Sequence, residues 1–185
     1  MPLDLTGVDL ATETVRTARL VLCAPAERHV DPITRACQDP GNQRWLTSLP
    51  SPYTRDDAAE FVHGIAARGR ESRTDLPFAV EAGGELVAMC GLHSLTTGRL
   101  GPELGYWTAP WARRRGYAAE AAAGLARWAL AHGAPRVHLY TDVANTASQA
   151  VARRAGFTEE GVVRSCLHYR DGSRADAVLF GLVAS

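Results

Sequence analysis

The stretch ELGYWTAPWARRRGYAAEA, residues 103–121, constrains this chain more than any other part of it. Glu103 to Thr108 reads as a strand, and Pro110 ends it. Gly116 to Ala131 then carries Ala118, Ala121, Ala122, Leu125, Trp128 and Ala129 on one stripe at helical spacing, with Gly133 and Pro135 as stop signals. A strand that runs through a short glycine-containing loop into a helix aims several backbone N–H groups at one spot, with the helix dipole behind them. Arg113, Arg114 and Arg115 add charge at that mouth. The arrangement suits a phosphate or pyrophosphate; the bland alternative is an ordinary loop with solvated arginines. Neither GxxxxGK nor GxGxxG is present, so the usual nucleotide loops are excluded.

The flanking segments extend this unit in both directions. Arg19 to Cys23 reads as a strand, and Glu27 to Cys37 has apolar residues at helical spacing. A loop is expected between Asp39 and Tyr53. A helix follows from Thr54, an N-cap with Asp57 three residues on, to about Gly69. From Leu76 the period changes to two. Phe78–Glu81 and Glu85–Leu92 pair through Gly83-Gly84, and Gly98 breaks the chain before residue 103. Arg136–Val143 is a strand, and Asn145 caps a helix over Thr146–Ala155 closed by Gly156. Strands over 158–169 and 174–182 turn at Asp171-Gly172. The order β-α-α-β-β-β-α-β-α-β-β predicts an α+β, three-layer α/β/α fold: a mixed, mostly antiparallel sheet of about seven strands with helices on both faces. Residues 1–16 are expected to form a loose N-terminal arm and residues 17–185 one domain.

Composition removes several functions. The chain has 185 residues with 20 basic and 20 acidic side chains, so its formal net charge is zero, which argues against general nucleic-acid binding through the Arg113–Arg115 cluster. Every basic residue is Arg, which excludes a Lys nucleophile, Schiff base or P-loop Lys. No apolar run is long enough to cross a membrane, and the acidic first residues do not make a secretory signal. Cys23, Cys37, Cys90 and Cys166 form no CxxC pair, and no cluster has metal-ligand spacing. Free thiols in a reducing cytoplasm, and no metal, are the expectation.

Arg113-x-x-Gly116-x-Ala118 matches the Q/R-x-x-G-x-G/A motif of the GCN5-related N-acetyltransferases (GNAT). With Glu103-Leu104-Gly105-Tyr106-Trp107, Asn145-Thr146-Ala147-Ser148, Ala155-Gly156-Phe157, the opening Arg19-Leu20-Val21-Leu22 and the closing Gly161–Arg164 and Asp171-Gly172, the chain resembles the RimJ/RimL-like branch over roughly residues 17–183. Two positions depart from that branch: Arg114 where it usually has Gly, and Ala119 where it usually has Thr or Ser. Arg114 is expected to keep a helical or extended backbone, since a positive φ is unfavourable for it.

The resemblance implies acetyl-CoA as donor, a primary amine as acceptor (a protein N-terminus or a small molecule such as an antibiotic), and a monomer or homodimer without nucleic acid or membrane. It implies that the strands of Glu103 and Arg136 splay to admit the pantetheine arm, with Tyr106, Trp107 and Thr108 beside it. Arg113, Arg114, Arg115, Gly116, Tyr117 and Ala118 would cradle the pyrophosphate, and Asn145 would bind the pantetheine. Ser148 would protonate the thiolate. Glu103, facing opposite to Leu104 and Tyr106, would act as base directly or through water. His93 and His168 are candidates for the acceptor side. His138, within an apolar strand, is expected to be structural. A non-catalytic acyl-CoA-binding module is the rival reading.

Overall fold

The computed structural model describes residues 3–95 and 99–184, so the predicted break at Gly98 lies outside the described residues. Eight strands form one sheet in the order β1-β2-β3-β4-β5-β6-β8-β7: β1 (Val15–Arg16), β2 (Val21–Cys23), β3 (Leu76–Ala82), β4 (Glu85–His93), β5 (Glu103–Thr108), β6 (Arg136–Asp142), β7 (Thr158–His168) and β8 (Arg174–Val183). All neighbours are antiparallel except β5 and β6. The seven predicted strands are present within a few residues of their expected ends. The eighth, β1, is too short to show a period.

Helices cover both faces. On one side lie α1 (Val30–Cys37), α3 (Arg55–Ala59), a π-helical turn (Glu60–Ile65) and α4 (Ala66–Ser72). Val30, Ile33, Ala58 and Val62 bury there against Ala79 and Met89. On the other side α5 (Tyr117–Ala131) and α6 (Thr146–Arg154) pack Ala121, Ala122, Leu125 and Ala152 against Phe78, Val80, Leu104, Val137 and Leu139. The alternation of β3 and β4 thus serves two cores. The Gly83-Gly84 turn has φ of 60° and 83°, a left-handed pair that suits a tight hairpin. The last turn of α6 closes as the Gly156 signal requires. Gly156 (φ 95°) donates its N–H to Arg153 O and Phe157 N donates to Ala152 O, the paired bonds of a Schellman cap.

Two expectations need correction. The N-terminal segment is docked, not loose. Leu5, Leu10 and Val15 are each less than 8% exposed within the α5-side core. Trp128 donates to Glu13 at 2.9 Å, Asp4 N donates to His132 O at 2.8 Å, and the buried Arg70 guanidinium donates to Leu10 O. The expected loop after Asp39 contains a helix, α2 (Pro40–Trp45). Asp39 is its N-cap, accepting from Asn42 N, and Pro40 fits the first turn, where its missing N–H costs nothing.

Candidate active site

Among the described residues β5 and β6 are the only parallel neighbours, and one pair, Glu103 with His138, is their whole register. Beyond it the strands separate. Ala109 N donates to Val87 O, so odd-numbered residues of β5 turn their backbone groups to β4 and even-numbered ones turn theirs to the gap. Pro102 O, which accepts from His138 N, follows the same parity. The Tyr106 N–H and C=O therefore face the opening between the strands.

A cavity of about 530 Å³ occupies that opening. Tyr106, Trp107, Thr108, Arg113, Arg114, Gly116, Ala118, Ala119, Asn145 and Ser148 line it, with Asn42 and Arg154. The structure therefore brings most of the predicted donor-side residues to one place; Arg115 and Tyr117 do not line it. Gly116 caps α5 with φ 78° and no side-chain cap, so the first N–H groups of the helix point at the cavity without a partner. That end suits an anion.

The arginines of the loop divide their work. Arg113 is a tether: its guanidinium donates to the Asp39 carboxylate and, at 3.1 Å, to Asn42 Oδ1. Asn42 in turn donates to Ala36 O and Thr108 O, which ties α2 to the end of β5. Burial pushes the Asp39 carboxyl up, but Arg113 and the Asn42 N–H outweigh it and hold the group below its usual range. Arg115 is exposed, and its carbonyl accepts from Arg19. Arg114 has φ 63°, contrary to expectation. The turn into Gly116 demands the left-handed region, and the loop imposes it on a side chain that disfavours it. Arg154, on the last turn of α6, stands beside Gly116; its guanidinium would lie 3.8 Å from a Cβ there. The sequence reading missed Arg154, since only the packing of α6 against α5 brings it to the loop. Glu120 is structural, accepting from Thr17 Oγ1 at 2.6 Å, Arg19 N at 2.9 Å and Arg19 Nε at 2.7 Å.

Deeper in the gap, Asn145 Oδ1 caps α6 by accepting from Ser148 N at 3.1 Å. The Tyr106 hydroxyl lies 3.0 Å from both Ser148 O and Ser148 Oγ. Burial raises the Tyr106 phenol to about 12, against the hydrogen bond with Ser148, so it stays a protonated donor. Two hydroxyls thus sit together beside Asn145.

A second cavity, of about 470 Å³, opens on the other face of β5. It shares Leu46, Tyr106 and Trp107 with the first, and adds Tyr53, Asp57, Glu60, Phe61, Met89, Gly105 and His93. The register sets His93, Gly91 and Met89 opposite Glu103, Gly105 and Trp107 on this face. Glu103 itself lines neither cavity; its carboxylate is 3.9 Å from His138 Nε2. His138 is buried, and that burial lowers its pKa. His168 is exposed on β7 and lines neither cavity.

A helix N-terminus open to an anion, a split sheet with unpaired backbone groups, and two hydroxyls at the split together describe an acyl-carrier site. A family model described as "Acetyltransferase (GNAT) domain" matches residues 19–158. The chain belongs to the GNAT acetyltransferases. Among curated GNAT relatives, Bacillus subtilis (strain 168) YdaF, provisionally named a ribosomal N-acetyltransferase, is 33% identical over 172 residues, 90% of each chain. The fold is shared with solved structures of lower identity. Mycobacterium smegmatis RimJ in complex with CoA-disulfide has a TM-score of 0.83 at 23% identity, over 95% of this chain and 89% of that one. The microcin C7 self-immunity acetyltransferase MccE, in complex with acetyl-CoA and AMP, has a TM-score of 0.81 at 17% identity, over 91% and 94%.

Metal chemistry has one candidate among the described residues, Cys23, His29 and Glu81, whose ligand atoms lie within 4.8 Å of one another. Ala26 N donates to His29 Nδ1, so Nε2 carries the proton that reaches Glu81 at 2.8 Å. Arg28 donates to both Cys23 and Glu81. This is a hydrogen-bonded knot with no lone pair of the imidazole free for an ion. The four cysteines are free thiols, and burial raises those of Cys37 and Cys90 to about 12, which makes them inert. No helix among the described residues is long and apolar enough to cross a membrane.

Proposed function

We propose that this GNAT protein transfers the acetyl group of acetyl-CoA to the α-amine of a protein or peptide N-terminus, by direct attack in a ternary complex. The observation that carries this reading is the meeting of the two cavities at Tyr106 and Trp107, so that a donor on one face of β5 and an amine on the other reach the same backbone. Holding both reactants there supplies much of the rate without a covalent enzyme intermediate. The first N–H groups of α5, with Arg114 and Arg154, receive the pyrophosphate. Asn145 and the unpaired backbone of β5 and β6 hold the pantetheine. The Tyr106 N–H faces the place where the carbonyl oxygen gains charge. Ser148, supported by Tyr106, protonates the departing thiolate.

The acceptor cavity is open and walled by Tyr53, Phe61, Leu49 and Met89, with Asp57 and Glu60 as its acids. That combination fits one cationic N-terminus followed by an extended peptide better than a polycationic small molecule. The ribosomal names of the relatives point the same way and, with it, to a cytoplasmic location.

The test is a thermal-melt and calorimetric titration with acetyl-CoA, with ATP and NAD as controls, followed by thiol release with a panel of N-terminal peptides and aminoglycosides. Acetyl-CoA at 100 times its dissociation constant stabilises by about 2.7 kcal/mol. For a chain of this size that raises Tm by about 5–10 °C. Peptide-dependent thiol release that falls at least tenfold in Ser148→Ala supports the reading. A selective shift with no turnover of any amine supports the acyl-CoA-binding module instead.

A further inference from the structure

We propose that His93 is the base that takes the proton from the acceptor ammonium, and that Asp75 is its positioning residue. This rests on the acetyl-transfer reading above and assigns the proton path of that site. His93 ends β4 and lines the acceptor cavity, beside Gly105, Tyr106 and Trp107. Its Nδ1 is 3.0 Å from Asp75 Oδ1. A carboxylate only accepts, so the Nδ1–H is the donor and Nε2 keeps its lone pair. That nitrogen turns to β5, where it would lie 3.3 Å from a Cβ on Gly105. The absence of a side chain at residue 105 leaves the imidazole its place in the cavity, one residue from the Tyr106 backbone that closes the donor side.

The surrounding backbone is built to hold this pair. Asp75 N and Thr74 N both donate to Gly69 O, and Leu95 N donates to Thr74 O. Gly69 approaches so closely that a Cβ there would lie 3.0 Å from Asp75 Cβ. Arg73 (φ 57°) and Ser94 (φ 55°) both take the left-handed conformation, one on each side of the pair. Such costs persist where the surrounding structure fixes a geometry, and they gather at functional sites. Glu103 lies directly across from His93 in the β4–β5 register but outside the cavity, whose lining acids are Asp57 and Glu60.

The protons balance as follows. The ammonium gives one proton to His93 Nε2, which releases it to solvent at the exposed rim. The C–N bond forms as the C–S bond breaks. The second proton leaves the nitrogen for water and makes good the one that Ser148 gives to the thiolate, so the net yield is amide, free thiol and one proton in solvent.

The experiment measures acetyl-CoA thermal shift and peptide-dependent thiol release for the wild type, His93→Gln, His93→Ala and Asp75→Asn. The expected result is a loss of about 100-fold or more in kcat/KM for both His93 variants, with the acetyl-CoA shift unchanged. Imidazole restores part of the His93→Ala rate. Asp75→Asn loses about tenfold, in kcat with KM little changed, and keeps the wild-type acetyl-CoA shift, because the Nδ1–H loses the carboxylate that orients the ring. His93→Gln turnover within threefold of wild type overturns the proposal. So does a loss that imidazole does not rescue and that follows loss of the acetyl-CoA shift, because the residue is then structural. Absence of wild-type turnover instead defeats the acetyl-transfer reading itself, before any variant is compared.

Discussion

Arg114 gives the sharpest quantitative test of the loop. Its φ of 63° places a long side chain in the left-handed region, at a cost of about 1–2 kcal/mol. Arg114→Gly removes that cost but adds back about 0.5–1 kcal/mol of unfolded-chain entropy. The net gain is about 0.5–1 kcal/mol, and at about 2–4 °C per kcal/mol for this length Tm rises by about 1–4 °C. Arg114→Ala keeps the strain and removes the same charge, so its Tm does not rise. The difference between Gly and Ala at this position isolates the backbone term, and differential scanning calorimetry at pH 7 without ligand reads it. Both variants lose a cation from the donor cavity, so both bind acetyl-CoA more weakly, by roughly fivefold at low salt and less as salt is added. A Gly variant no more stable than the Ala variant would refute the strain reasoning. Equal acetyl-CoA affinity in all three proteins would remove Arg114 from the phosphate site.

Three further outcomes are expected. Glu120→Gln lowers Tm by about 4–8 °C near neutrality, since its carboxylate, 17% exposed, joins α5 to the β1–β2 turn through Thr17 and Arg19. Burial raises the Glu120 pKa, but the bonds from Thr17 and Arg19 prevail and hold it below the usual value. A depressed folded-state pKa means stability present above about pH 4.3 and lost as pH falls through the folded value, so the gap between wild type and variant closes in acid. Leu10→Ala lowers Tm by about 5–10 °C, because Leu10 is 4% exposed in the core; an unchanged Tm would return the first residues to a loose arm. Ala118→Asp puts a carboxylate among the free N–H groups of α5, and the acetyl-CoA-dependent rise in Tm disappears while circular dichroism is unchanged.

What the sequence disclosed depended on how local each signal was. The β5-loop-α5 unit was legible because Pro110, Gly116 and the alanine stripe each fix a backbone state within a few residues. Asn145 and Gly156 bounded α6 for the same reason. Leu5, Leu10 and Val15 have no common period, and their burial comes from contact with elements far along the chain. Asp39-Pro40 carries the start signal of α2, but Gly41 and the later Pro50 and Pro52 mask it as a loop. The face of Glu103 was legible from alternation, but its position outside both cavities was not, since the splay decides it. His93 and Asp75 meet across 18 residues, and Arg154 reaches Gly116 only through helix packing. The positive φ of Arg114 ran against residue preference, because the turn geometry outweighed it.

The single registered pair between β5 and β6 also bears on how the molecule melts. With so little pairing across that seam, the strands before it and the strands after it share few backbone bonds, and α5, which packs on both β5 and β6, also couples them. A bound pantetheine, bonded on both edges, would act as a ninth strand that joins two cooperative blocks into one. Amide exchange at Tyr106, Thr108, Tyr140 and Asp142 should then slow together on addition of acetyl-CoA, and the unfolding transition should sharpen as well as rise.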